Sequence, residues 1–161
     1  MSKKTILRVC HKFLIDNDGY DLDIQDLCKS TNKFYTNYVI TYIDCSIKEY
    51  VKKNNLSKVD DYFYHKKLRT YIIPIEYRKK HGTYLKDLYL YKNIVRFNRN
   101  YKKTFKTLKP DILHIHGTLL IQFLYSAIIS KKKCLVISTH HIGLINNNYH
   151  KQNLHRLWLW V

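Results

Sequence analysis

The residues best able to do chemistry fall in one stretch, Lys109–His141, reading KPDILHIHGTLLIQFLYSAIISKKKCLVISTHH. His114 and His116 are two apart in an apolar run, so on a strand their rings share one face. His116–Gly117 closes that run, and Thr139–His140–His141 closes the next one. Imidazole can carry a proton near neutral pH or ligate zinc or iron. A metal site would need further donors, and the one carboxylate of the stretch, Asp111, sits at the opposite end of its strand. No metal is expected. His114 reads as a core histidine satisfied by its neighbours, whereas His116 and His140 are expected to face outward at strand ends.

A β-α-β unit would position these groups. Ile112–Ile115 and Cys134–Ile137 are short apolar runs of the kind found in parallel strands buried on both faces. Between them Leu119–Ile129 reads as the crossover helix, with Thr118 as its N-cap and Lys131–Lys133 as the following turn. Ligands of open parallel sheets bind outside the carboxyl ends of the strands, which is where the histidines fall.

The remaining elements extend the same pattern. Thr5–Cys10 reads as a first strand and Asn17–Asp18–Gly19 as a turn in which Gly19 takes the positive φ. Tyr20, Ile24, Leu27 and Cys28 follow at helical spacing, with Asp18 or Asp21 as the N-cap. That helix would offer free N–H groups to an anion, although a lone glycine more often marks a turn. Tyr35–Tyr42 is a second strand, Ile47–Val51 a short helix, Lys53–Ser57 a turn and Arg69–Ile75 a third strand, with Pro74 pointing to an edge position or strand end. From Tyr84 to Leu108 the positions Leu85, Leu88, Ile94, Val95, Phe97, Tyr101, Phe105 and Leu108 define a long amphipathic helix with a basic opposite face. A last helix begins at Asn146–Asn148, and the chain stops at Trp160–Val161 inside an apolar pattern. The fold class expected is α/β, a single Rossmann-like three-layer domain with a mainly parallel sheet.

Composition narrows the function classes. A chain of 161 residues with 45% hydrophobic content forms one ordinary domain with a core. The four cysteines are scattered without a CxxC pair, which argues against a disulfide scaffold and for a reducing compartment. Neither a signal-peptide apolar region nor a run of roughly 18 apolar residues is present, so a secreted or membrane-spanning chain is not expected. The expected location is the cytoplasm or the inner face of a membrane. A net charge of +17 suits polyanions, either anionic lipid or nucleic acid. Most of the 15 tyrosines follow strand or helix periodicity and read as packing residues.

At this point the motifs resemble a known family. KPDILHIHG, an apolar helix and LVISTHH, in that order, resemble the N-terminal half of family 4 glycosyltransferases, retaining enzymes of two-domain GT-B architecture. ILRVCHKFLIDNDGYDLDIQDLCKS is similar to that family's first strand, glycine loop and first helix, and YHKQNLHRLWLW to the helix after its histidine motif. The resemblance implies hexosyl transfer from a nucleotide-sugar donor to a lipid or glycan acceptor, with no cofactor. It places Gly19 in the loop facing the donor pyrophosphate, where the family commonly has two adjacent glycines and this chain has Asp18–Gly19. It puts His116, Gly117 and Thr139 in the substrate-binding cleft. His140 matches the catalytic histidine at the donor sugar and His141 the glycine after it, and a one-residue shift exchanges the two.

The family's nucleotide-sugar domain, with its Glu-x7-Glu motif, has no counterpart after His141. The chain is therefore expected to span residues 1–161 as an incomplete, acceptor-side GT-B domain whose C-terminal domain is either a lost segment or supplied by a partner chain. The competing reading is a non-catalytic basic module for anionic membrane or, as the weaker option, nucleic acid.

Overall fold

A computed structural model of the chain describes residues 3–15, 17, 19–76, 86–116 and 134–139, with the backbone alone at 20, 86–94 and 137–139. The expected crossover helix 119–129, the turn 131–133 and the last helix lie outside these residues, as do Gly117, His140 and His141.

The described elements run β1 (Lys4–His11), α1 (Gly19–Thr31), β2 (Tyr35–Ile43), α2 (Ile47–Lys53), β3 (Ser57–Val59), β4 (Tyr62–His65), β5 (Thr70–Glu76), α3 (Lys86–Leu108), β6 (Ile112–His116) and β7 (Leu135–Thr139). They build one seven-stranded sheet in the order β3-β4-β5-β2-β1-β6-β7. The five strands β5, β2, β1, β6 and β7 are parallel to one another, while β4 is antiparallel to both β3 and β5. The fold is the α/β Rossmann-like arrangement with a mainly parallel sheet.

Strand alternation splits the core into two layers. Leu7 and Val9, Ile40 and Tyr42, Ile75, and Leu113 and Ile115 face α3, which contributes Phe97, Tyr101 and Phe105. Phe97 and Tyr101 lie parallel with centroids 6.2 Å apart, and Tyr42 meets Phe97 edge-on at 6.4 Å. The opposite face carries Cys10, Val39, Ile43 and Ile72, covered by Ile24 and Cys28 of α1 and Tyr50 of α2. Ser46 caps α2 by accepting the Glu49 N–H at 3.1 Å. The sheet thus has helices on both faces.

Three expectations need correction here. The β3–β4 hairpin begins at Ser57, where the expected turn ends, and no element is expected there, because its strands of three and four residues are too short to show a period. Val95 is 46% exposed and lies off the apolar stripe of α3. Pro74 sits on β5, which is an interior strand paired with β2 through Thr41. The proline is tolerated because the described β4 pairing on its other side covers only Thr70 to Ile72.

The amino-terminal edge of the sheet is stitched by Asp111. Its carboxylate accepts the Thr5 N–H at 2.7 Å, its own N–H donates to Thr5 O at 3.0 Å, and its carbonyl accepts the Leu135 N–H at 3.1 Å. Asp111 thereby aligns the starts of β1, β6 and β7, at the end of the sheet away from His116.

Candidate functional site

The strand order contains a topological switch point. From the central strand β1 the chain moves outward through β2 to β5, then returns through α3 to place β6 on the other side of β1. Connections leave β1 in opposite directions on its two sides, and such a switch point opens a ligand crevice at the carboxyl ends of the strands. Here those ends are His11 of β1 and His116 of β6. Pairing in register puts His116 opposite Thr139 of β7. Helix α1 runs back along the sheet. Its last turn reaches Arg8 through Leu27 and Thr31, while Asp21 in its first turn accepts the Leu14 N–H at 3.0 Å. Gly19, the first residue of α1, therefore belongs to the same end of the sheet as His116 and Thr139.

The loop between β1 and α1 departs from expectation. Its left-handed residues are Lys12 (φ 53°), Leu14 (φ 63°) and Asn17 (φ 48°), and Gly19 is not among the positive-φ positions. Asn17 takes the turn conformation that the dipeptide pattern assigns to the glycine, as asparagine can through local side-chain hydrogen bonding. A Cβ on Gly19 would meet nothing within 4 Å. Space is therefore open beside Gly19 at the helix terminus, and neither a positive φ nor a close contact requires glycine there.

Nor is the first part of the loop a phosphate cradle. Lys12 N–H donates to Tyr42 O at 2.8 Å, Phe13 N–H to Thr41 Oγ1 at 2.9 Å, and Ile15 N–H to Lys12 O at 3.2 Å. With Leu14 bound to Asp21, four successive N–H groups are engaged inside the protein. Phe13 is fully buried, and Tyr50 Oη donates to its carbonyl at 2.9 Å. Asp21, expected as one of two candidate caps, is instead a buried side chain that ties the loop to α1. An anion can still be met by the N-terminus of α1 itself.

Beneath α1 runs a polar seam. Arg8 is 1% exposed, at the centre of β1. Its Nη1 donates to His114 Nδ1 at 2.6 Å, its Nε to Asn37 Oδ1 at 3.2 Å, and its Nη2 to Thr31 Oγ1 at 3.0 Å and Leu27 O at 3.4 Å. All these acceptors are neutral, so among the described residues the guanidinium is solvated by dipoles and not by a counter-ion. Burial pulls its pKa below the ordinary arginine value. Arginine can only donate, so His114 Nδ1 must hold a lone pair and the ring is neutral. Burial, reinforced by the Arg8 charge, lowers the His114 pKa to about 4.

His114 is thus the satisfied core histidine that its position implies. Its ring lies 3.9 Å, centroid to centroid, from that of His116. His116 is 1% exposed, which corrects the expectation that it faces outward. Both histidines project onto the α1 side of the sheet because Arg8 and His114 are direct register partners and His116 follows two residues on. His116 can bound the crevice from below and fix a neighbour, but its ring is covered. Arg8 is the residue that motif reading passes over. The signal for it was a charge in the middle of ILRVC, a run that must be buried on both faces. Cys10 and Cys28, also buried on this side, have thiol pKa values pushed up by desolvation, which keeps them protonated and unreactive.

Among the described residues no group of three or more His, Cys, Asp or Glu side chains is arranged to hold a metal ion, and no helix is long and apolar enough to cross a membrane.

No protein-family profile and no curated protein sequence matches the chain. Solved structures do resemble it. The C-terminal domain of a hydrogenase from Pyrococcus furiosus superposes with a TM-score of 0.54 at 12% identity, over 86% of this chain and 94% of that one. A UDP-N-acetylglucosamine 2-epimerase gives 0.52 at 12% identity, over 92% of this chain but 36% of that one. A glycosyltransferase from Rickettsia africae is a looser match, at 0.47 and 15% identity over 91% of this chain and 32% of that one. The chain spans about a third of the length of the latter two proteins. At such identities the likeness concerns architecture alone, and that architecture is the Rossmann-like α/β fold.

Proposed function

We propose that this chain is the acceptor-side half of a GT-B glycosyltransferase related to family 4, working in hexosyl transfer from a nucleotide sugar to a lipid or glycan acceptor. The observation that carries the reading is the strand order, which brings His116, Thr139 and the open N-terminus of α1 at Gly19 to one switch-point edge. The ordered histidine motifs of the sequence support it. A nucleotide-sugar enzyme among the structures of like fold is compatible with it, although one fold hosts many activities.

In this reading the first turn of α1 offers its positive dipole end to the donor diphosphate. The open space over Gly19 admits the ligand, while His116 and Thr139 bound the pocket from the strand ends. His140, or His141 in the shifted register, serves the donor sugar as the resemblance implies. Leaving-group charge must be clamped from the opposite side, because rate comes from holding two reactants in line and stabilising developing charge. That second half-site is supplied by a further domain or a partner chain.

The test is glycosyl transfer from UDP- and GDP-sugars by this chain, alone and with products of neighbouring genes. Turnover is expected only for a reconstituted pair. Replacing Gly19 by Phe should then cut turnover about tenfold or more while leaving the melting temperature unchanged. Turnover by the chain alone would remove the need for a partner. A Gly19→Phe pair with full activity would remove α1 from the site.

A further inference from the structure

The opposite edge of the sheet carries a second surface that the glycosyl-transfer reading does not use. On the α3 side, register aligns Ser57, Tyr64, Tyr71 and Tyr38 in one row across β3, β4, β5 and β2. Tyr38 and Tyr71 are stacked, with centroids 4.8 Å apart and planes within 17°. Tyr64 leans on Tyr71 at 5.2 Å, and Tyr62 meets Tyr38 edge-on at 5.3 Å. All four tyrosines are half-buried: the hairpin carries the sheet beyond the buried stripe of α3, so their rings retain access to solvent.

The same edge is basic. The turn between β4 and β5 exposes Lys66, Lys67 and Arg69. It is tied to the turn before β2 by a hydrogen bond from Asn32 Nδ2 to Leu68 O. That second turn exposes Lys33 and also Phe34, which at 70% is the most exposed large hydrophobic residue among those described. The acidic residues of the hairpin, Asp60 and Asp61, sit at its other end, where Asp61 pairs with Lys103 of α3 at 3.9 Å. Half-open aromatic rings in a row, an exposed phenylalanine and cations without an ion pair among the described residues therefore share one end of the sheet.

We propose that this surface binds single-stranded nucleic acid, with bases stacking on the tyrosine row and Phe34 and with phosphates neutralised by Lys33, Lys66, Lys67 and Arg69. Single-strand binders combine these two components, since every base has a face to stack and every nucleotide a charge to neutralise. Charge complementarity favours this occupant over a neutral glycan, given a net charge of +17. A row of four rings suits the flat faces of bases, whereas insertion into lipid would rest on Phe34 and Val59, the exposed large hydrophobic residues described at this edge. A duplex hides the base faces that the tyrosines would use.

The experiment is fluorescence anisotropy of a labelled 20-nucleotide oligo(dT) titrated with the whole chain at several salt concentrations. Matching titrations use the same length of duplex DNA and phosphatidylglycerol vesicles. Single strands should bind more tightly than duplex, with affinity falling steeply as salt rises. Phe34→Ala and Tyr64→Leu should each weaken binding about tenfold at constant salt. Lys66→Glu with Lys67→Glu should weaken it further and flatten the salt dependence. Phe34, Lys66 and Lys67 are exposed, so these variants retain the fold even if Tyr64→Leu does not. Absence of binding, equal affinity for duplex, tighter association with vesicles, or indifference to Phe34→Ala and Tyr64→Leu would each overturn the proposal. Loss of this binding with glycosyl transfer intact, or the reverse, separates the two surfaces.

Discussion

The two faces of the sheet are built from different chemistry. The face under α3 is aliphatic and aromatic, with Leu7, Val9, Ile40, Tyr42, Leu113 and Ile115 meeting Phe97, Tyr101 and Phe105. The face under α1 is crossed by buried polar groups, Arg8, Asn37, Thr41, Thr70, His114 and His116. Non-directional burial holds the first face, so it tolerates exchange of one apolar shape for another. The second is held by directional hydrogen bonds in a low dielectric, where one lost partner leaves others unsatisfied. Both features of the candidate site, His116 and the first turn of α1, lie on the polar side. The apolar face supplies cohesion and the polar face supplies position.

The largest effect should come from the apolar face. Phe97→Ala removes a fully buried ring from the centre of the α3 layer and should cost about 3–5 kcal/mol in urea unfolding. A loss near 1 kcal/mol would mean that α3 is only loosely docked and would weaken the contrast.

A pH titration probes the polar face. His114 releases its proton at about 4 in the folded chain, against 6.5 in the unfolded one. Between those values the unfolded chain binds more protons, so the His114 contribution is complete above pH 6.5 and is lost as the pH falls through about 4. The span corresponds to roughly 3 kcal/mol. His114→Gln should flatten that part of the stability–pH curve. An unchanged curve would show that His114 is not the group titrating in that range.

The smallest effects give the sharpest contrast between the faces. Leu113→Met, conserving volume under α3, should cost less than about 1.5 kcal/mol. Arg8→Lys keeps the charge but loses the planar fork that reaches Asn37, Thr31 and His114 together, and should cost about 1–3 kcal/mol. Equal losses for the two conservative changes, by chemical denaturation, would erase the distinction.

Much of the fold was legible in the chain. β1, β2, β5, β6 and β7 appear as β-branched or apolar runs, and α3 as a stripe of Phe97, Tyr101, Phe105 and Leu108. These signals are local, so residues near in sequence suffice to reveal them. The hairpin β3–β4 was not legible, since strands so short draw their stability from pairing with β5. Gly19 reads as the left-handed residue of a turn before the helix, whereas it is the first residue of α1 and does not take a positive φ. The loop is shaped by anchors from elsewhere, Thr41, Tyr42, Asp21 and Tyr50, and these push the positive φ values onto Lys12, Leu14 and Asn17. The motifs containing Gly117, His140 and His141 fall outside the described residues, so their roles stand as part of the proposal.

By itself the amino-acid order determined the element types, the alternation that gives each strand two faces, and the place of His116 at a strand end, because these depend on period and local chemistry. Tertiary structure decided which strand neighbours which, and hence where the switch point opens. It also decided that His116 is covered, not outward-facing, and that a lone arginine in an apolar strand becomes the hub of a buried seam. These outcomes depend on residues far apart in sequence: Arg8 meets Asn37 and His114 across separations of 29 and 106 residues. Local pattern shows that a charge must be buried; only the packed sheet supplies the dipoles that make its burial tolerable.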